Sequence, residues 1–440
     1  MKRSFFAKFD YFLILAVLFL VTIGILFIYS SSINSDGVSV INEHIKQIVW
    51  ASIGLVMMLL ITLYDYRRLQ SITVYLYVFL IVLLIYTRLF GKYVNGAYSW
   101  IGFGNIGIQP SEFGKIFYVL YLANFLYESQ DMPQLKRFIY ATLIMMLPFG
   151  LIMLQPDLGT ASVYIPAYLT MCFMAGVPVK YIGYVLLFGG MTILNTVLPV
   201  WNAEIAATPL PVITILTDFK LRFVLITSLF LITMISYILY KYFNGSTFFK
   251  HLSYILSAST LSLLFSIPAG KVLKDYQIKR LIIFMNPNKD PRGAGWNIIQ
   301  SKVAIGAGGI FGQSYLHGTQ SHYRFLPQQS TDFIFSIISE ELGFFGGCII
   351  FLLYMIILLK ILYLIKNCAN SFGTYITSGI FSIFLFHFFI NVGMVMGMMP
   401  ITGIPLLFLS YGGSSLLMAM SSIGLIMSIA CRKKNFNELQ

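Results

Sequence analysis

Glu112 and Lys115 lie three residues apart in the segment IQPSEFGKIF, a spacing that puts a carboxylate and an ammonium on one face of a helix. Such a pair either anchors a helix end or presents charge to a ligand, and spacing alone leaves both open. Asp157, in LQPDLGTAS, is bracketed by Pro156 and Gly159, so a helix break there would turn a carboxylate inward. Capping the following helix is a second role for the same aspartate, compatible with the first. Asp290 precedes Pro291 in NPNKDPRGAGW, with Gly293 and Gly295 close behind. Asp-Pro with nearby glycines is ordinarily a turn; the cations on either side of Asp290 and a membrane face beneath it are what speaks for chemistry, and both readings stay open. Asp332, Glu340 and Glu341 are placed to cap or bridge helices, and His387 and Asn391, four apart, are expected to share a face as a hydrogen-bonding pair.

The elements that hold these residues are read from composition. The chain has 440 residues, 58% of them hydrophobic and only 10% charged. A soluble protein carries about 25% charged residues. The apolar excess falls in runs of about 20 residues, the length of a bilayer-crossing helix, so the expected class is an all-α polytopic membrane protein. About twelve spans are expected, at 11–30, 47–64, 72–90, 111–127, 137–154, 160–177, 181–200, 222–241, 250–268, 332–358, 372–397 and 412–430. The first run is longer than a signal-peptide core and lacks a small-residue cleavage site before Ser30, so it reads as a retained helix.

The net charge of +13 raises the question of nucleic acid, yet the Lys and Arg clusters sit at the ends of apolar runs, which excludes that partner. Lys2, Arg3, Lys8, Arg67, Arg68, Lys136, Arg137, Lys360, Lys366, Arg432, Lys433 and Lys434 all fall on one side of the predicted membrane, so both termini are expected to be cytoplasmic. The four cysteines show no paired spacing for a disulfide or zinc. One outer loop, 269–330, is long and basic, with an amphipathic middle from Trp296 to Ile305, which points to an ordered element at the membrane surface; its cations either face an anionic ligand or neutralise lipid headgroups. Near the C-terminus, Gly397, Pro400, Gly403 and Pro405 interrupt an apolar stretch before SYGGSS; irregular backbone at that depth needs protein or a watery cavity around it.

Together these segments resemble the SEDS family of shape, elongation, division and sporulation proteins, and more closely its elongation (RodA-type) branch. The likeness rests on NGAYSWIGFGNIGIQPSEFGK at 95–115, QPDLGTA at 155–161, DYQIKRLIIFMNPNKDPRGAGWNIIQSKVAIGAGGIFGQ at 275–313, HGTQSHYRFLPQQSTDFIFSIISEELG at 317–343 and GMMPITGIPLLFLSYGGSS at 397–415. The resemblance implies a SEDS-type helical bundle, in the bacterial plasma (inner) membrane, that polymerises lipid II into glycan strands. Its implied partners are a class B penicillin-binding protein that cross-links the strands and other membrane proteins of the elongation complex. A lipid II flippase is the alternative. Asp290 matches the family's essential loop aspartate, Glu112 and Lys115 its membrane Glu and Lys, and Asp157 the aspartate after the fifth span. Trp100, Ser111, Gln300 and Ser301, inside the matched motifs, join the substrate-binding candidates.

The chain departs from the pattern in three places. Two helices within 205–268 are expected beyond the family's ten-helix core, inserted before a catalytic loop at 269–330 in an otherwise single membrane domain. Tyr98 and Ser99 stand where an Arg pair commonly precedes the motif Trp, and Asn286 where many relatives have a first aspartate, which leaves Asp290 as the candidate base.

Joining an acceptor 4-hydroxyl to an anomeric carbon activated by a lipid pyrophosphate requires deprotonation, alignment and neutralisation of the departing charge. The expectation is that Asp290 is the base, that Lys115 pairs with it at rest, and that Arg280 and Lys279 take the pyrophosphate, since guanidinium forks suit phosphate oxygens. No ligand cluster demands a metal, so no cofactor is required; a divalent cation, Mg or Mn, bridging the pyrophosphate is compatible.

Overall fold

In a bilayer every backbone polar group has to be satisfied within its own segment, so long apolar runs fold as helices. The computed structural model describes residues 9–34, 38, 42–94, 96–103, 106–206, 210–272, 275–287, 290–291 and 293–432. Its elements are α1 (Tyr11–Ser32), α2 (Glu43–Leu63), α3 (Thr73–Phe90), β1 (Lys92–Val94), β2 (Ala97–Phe103), β3 (Ile106–Ile108), α4 (Pro110–Glu128), α5 (Gln134–Leu154) and α6 (Leu158–Met174). Then come α7 (Val179–Glu204), α8 (Pro211–Thr214), α9 (Phe219–Tyr242), α10 (Thr247–Val272), α11 (Asp275–Met285), α12 (Ala294–Gly308), α13 (Thr319–His322), α14 (Ile334–Lys366), α15 (Ser371–Val395) and α16 (Gly413–Cys431).

The protein is an all-α polytopic membrane protein, and each expected span falls on one of these helices. Among the described residues, ten helices are long and apolar enough to cross a membrane. The other two expected spans are α4, which carries Glu112, Lys115 and Glu128, and α6, which has only 17 residues. The terminal cations Lys2, Arg3, Lys8, Lys433 and Lys434 lie outside the described residues.

The chain divides into two compact units, residues 1–176 with 290–440, and residues 177–289. In the first, α16 is the innermost helix: 89% of its apolar window is buried, against 22% for α2, which packs on it. Helix α15, the next most enclosed, packs on α4, α6 and α14. In the second unit α10 packs against both α7 and α9. Polar ties join them: Asn195 Nδ2 donates to Ser262 Oγ at 2.9 Å, and Arg222 donates to the Leu263 carbonyl at 3.0 Å. Helices α9 and α10 are the pair expected at 205–268.

Two features were not expected from hydropathy. The stretch before α4 is an antiparallel three-stranded meander in the order β1-β2-β3, with Lys92 opposite Trp100 and Ile101 opposite Ile108. Aromatic and β-branched residues at alternate positions suit such strands. Helix α14 is kinked at Gly343, where φ is 66°. The kink frees backbone groups that the end of α12 takes up: Phe344 N donates to Gly309 O at 2.9 Å, and Gln313 N to Glu340 O at 3.0 Å.

Candidate active site

Helix α4 begins at Pro110, a residue suited to the first helical turn, and its next residues are the motif SEFGK. Glu112 and Lys115 therefore project from one face, as their spacing predicts, and both are buried, at 4% and 1% exposure. Lys115 Nζ donates to Glu112 Oε1 at 2.7 Å and lies 3.1 Å from His387 Nε2 on α15. A buried charge is costly unless paired and hydrogen-bonded, and this arrangement supplies both. Two polar atoms at the same helix end lack a protein partner among the described residues, Glu112 Oε2 and Ser111 Oγ. The Ser111 carbonyl accepts from the Tyr164 hydroxyl of α6 at 3.1 Å.

Asp157 caps α6, accepting from Thr160 N at 3.0 Å through Oδ1. Its second oxygen accepts from Thr160 Oγ1 at 2.8 Å and from Gln109 Nε2 at 2.7 Å. Gln109, the residue before α4, was not among the candidates. It joins the heads of α4 and α6 and also donates from its backbone to Ser414 Oγ of α16 at 3.0 Å.

The interrupted stretch 396–412 closes over these helix heads. Gly159 is needed where it stands, because a Cβ there would strike the Thr402 carbonyl. His387 and Asn391 do share a face, but they do not bond to each other. His387 Nδ1 meets the Pro405 carbonyl at 3.0 Å, and Asn391 Nδ2 donates to the carbonyls of Ile404 at 2.8 Å and Asp332 at 3.0 Å. The Tyr354 hydroxyl of α14 donates to the Leu407 carbonyl. At the SYGGSS turn, Gln47 Nε2 donates to Ser410 O at 3.2 Å, and burial with the neighbouring Glu43 carboxylate pushes the Tyr411 phenol above its ordinary pKa. The irregular backbone is thus satisfied by protein.

Asp290 stands at the turn before α12, exposed, and among the described residues its carboxylate has no hydrogen-bond or ion-pair partner. The expected resting pair of Lys115 with Asp290 does not form, because Lys115 is already engaged inside the bundle by Glu112 and His387. Gly293 folds back under the turn, donating to Asp290 O at 3.2 Å, and a Cβ on it would run into the Asp290 carboxylate. Trp296, on the first turn of α12, donates from Nε1 to Phe325 O at 2.6 Å.

The remaining candidates are more scattered. Ser301 is fully buried on α12, its hydroxyl 2.8 Å from Ser336 Oγ and 2.6 Å from Val395 O, a tie to α14 and α15; its neighbour Gln300 is half-buried. Trp100 lies across Gly107 of the adjacent strand. Arg280 is half-buried and partnered on α11, in the second unit. Lys274, Lys289 and Arg292, and the side chains of Lys271 and Lys279, lie outside the described residues. Glu340 and Glu341 bridge as expected. Glu340 accepts from Gln320 N at 2.7 Å and Thr319 Oγ1 at 3.2 Å, and Glu341 from Leu316 N at 3.0 Å and from the Ser30 hydroxyl of α1.

Four of the five motifs, 95–115, 155–161, 317–343 and 397–415, therefore meet, the third of them through Tyr411 N, which donates to Ser330 O at 2.8 Å. The profile of the FtsW/RodA/SpoVE family of cell cycle proteins matches residues 11–206 and 200–435. The chain belongs to this family. It is 52% identical to the peptidoglycan glycosyltransferase RodA of Treponema pallidum (strain Nichols), over 97% of this chain and 98% of that one. It is 31% identical to the peptidoglycan glycosyltransferase MrdB of Escherichia coli (strain K12), over 98% and 97%. Among solved structures, a chain from work titled "Structural coordination of polymerization and crosslinking by a peptidoglycan synthase complex" superposes with a TM-score of 0.67 at 24% identity, covering 97% of this chain and 99% of that one. The rod shape determining protein RodA of Thermus thermophilus superposes at 0.60 with 21% identity, over 97% and 98%. These two share the fold. In this SEDS chain the family motifs include the segments that build the heads of α4 and α6 and the turn over them, and a further one carries the head of α12.

Proposed function

We propose that the protein is a peptidoglycan glycosyltransferase that polymerises lipid II into glycan strands for cell elongation, with Asp290 as its general base. The observation that carries the base assignment is the exposed Asp290 carboxylate, held by a tight glycine turn at the head of α12. A base has to be within reach of the hydroxyl it deprotonates, and an exposed carboxylate is.

In the reaction the acceptor 4-hydroxyl gives its proton to Asp290 as its oxygen bonds to the donor's anomeric carbon. The bond from that carbon to the pyrophosphate breaks, and the lipid pyrophosphate leaves with the electron pair. Arg280 and Lys279, on α11, neutralise the leaving group. Glu112, Lys115, Asp157 and Ser111 keep the helix heads in register beneath the substrate, Trp100 and Gln300 complete its surroundings, and Ser301 holds α12 to α14 and α15 behind them. A divalent cation such as Mg or Mn would arrive as the counter-ion of the pyrophosphate; among the described residues no cluster of three or more His, Cys, Asp or Glu is assembled to hold one.

The partner is a class B penicillin-binding protein, alongside other membrane proteins of the elongation complex. The chain sits in the bacterial inner membrane with both termini cytoplasmic and the 269–330 loop outside, as the sidedness of its cations supports. Helices α9 and α10 are an insertion before that loop. The test is glycan-strand formation from lipid II by the purified full-length protein with and without the partner: strands are expected with it, and none in either case would overturn the proposal.

A further inference from the structure

The Glu112–Lys115 pair has a third member that the reaction above does not use. His387 is fully buried on α15, with one ring nitrogen at the Pro405 carbonyl, 3.0 Å away, and the other at Lys115 Nζ, 3.1 Å away. A carbonyl oxygen only accepts, so Nδ1 carries the hydrogen and donates. In the neutral ring that leaves Nε2 as an acceptor, matched to an N–H of Lys115. An imidazole in this tautomer joins a charged donor on one side to a backbone acceptor on the other. Asn391, one turn further along α15, donates to the Ile404 carbonyl next door, so both residues hold the same turn of the 396–412 stretch. That turn in turn abuts Gly159, behind the Asp157 cap.

We infer that His387 is a positioning residue for glycan polymerisation, coupling the Lys115 side chain to the Thr402–Pro405 turn so that the ion pair and the turn keep one fixed arrangement. It touches neither substrate nor reacting atoms and acts through Lys115. Leucine at this position fills the space but breaks both bonds. Glutamine can rebuild both, its amide N–H toward Pro405 and its carbonyl oxygen toward Lys115.

The inference rests on the proposed polymerase activity, so the experiment has two readouts. Full-length wild-type, His387→Gln, His387→Leu, Lys115→Met and Lys115→Met/His387→Leu proteins are purified with the cross-linking partner. Initial rates of strand formation are measured against lipid II concentration, and hydrogen exchange of the Ile401–Leu409 amides is followed in parallel. Expected are a kcat for His387→Leu lowered at least about tenfold with KM changed far less, near-normal kcat for His387→Gln, and a double variant no slower than Lys115→Met alone, since residues acting as a unit are not additive. Exchange in the turn should quicken in His387→Leu and not in His387→Gln. Wild-type kcat in His387→Leu, multiplicative effects in the double variant, or unchanged exchange in His387→Leu would overturn the inference. If the wild type forms no strands, the functional proposal fails, and the exchange comparison still decides the coupling.

Discussion

Gln109 Nε2 donates to Asp157 Oδ2 at 2.7 Å, across 48 residues of sequence, and so fastens the head of α4 to the head of α6. Because Asp157 also caps α6 through Thr160 N, the same carboxylate starts one helix and registers the head of another. Replacing Asp157 by Ala is expected to lower stability by about 1–2 kcal/mol, the usual worth of an N-cap plus a lost partner. Asp157→Asn, which keeps an acceptor for Thr160 N, should cost less. Thermal unfolding in detergent would check the order of the two.

The buried Glu112–Lys115 pair makes a sharper prediction. Removing one partner leaves the other charge alone in the interior, at a cost of about 3–5 kcal/mol. Lys115→Met and Glu112→Leu should therefore each be strongly destabilised, while the double variant recovers much of the loss. Activity should stay low in all three. Unfolding midpoints and strand formation, measured on the same preparations, separate the two effects.

Gly293→Ala tests the turn under Asp290. A Cβ on Gly293 would meet the Asp290 carboxylate. The flexible carboxylate has to swing aside. Strand formation is expected to fall by at least about tenfold, more than any loss of folded protein measured on the same preparation, since small misplacements of a reacting group are costly.

Glu340 gathers three donors from the segment after α12, namely Thr319 Oγ1, Gln320 N and Ser321 N. Glu340→Ala should leave these without a partner and release α13, at about 1–3 kcal/mol for buried groups left unsatisfied. Faster hydrogen exchange at Gln320 and Ser321 is the expected sign, and unchanged exchange would show that the loop is held by other contacts.

What could be read in the sequence follows from what each feature depends on. The spans were legible because crossing a bilayer demands a run of apolar residues, a property of consecutive positions. The Glu112–Lys115 pair and the Asp157 cap were legible for the same reason, since both are set by local helical spacing. The partners of Lys115 and Asp157 from other helices were not. His387 is 272 residues from Lys115, and a hydrogen bond between them is created by packing α15 on α4. The meander at 92–108 was hidden by its brevity, and Lys115 was assigned to Asp290 because a list of charges does not show which of them are already taken.

The most direct measurement is the rate of glycan-strand formation from lipid II by the full-length Asp290→Asn protein with its cross-linking partner, compared with wild type. Loss of a general base is expected to lower that rate by at least about 100-fold while the protein stays folded. A folded Asp290→Asn protein that polymerises at the wild-type rate would contradict the assignment of Asp290 as the base.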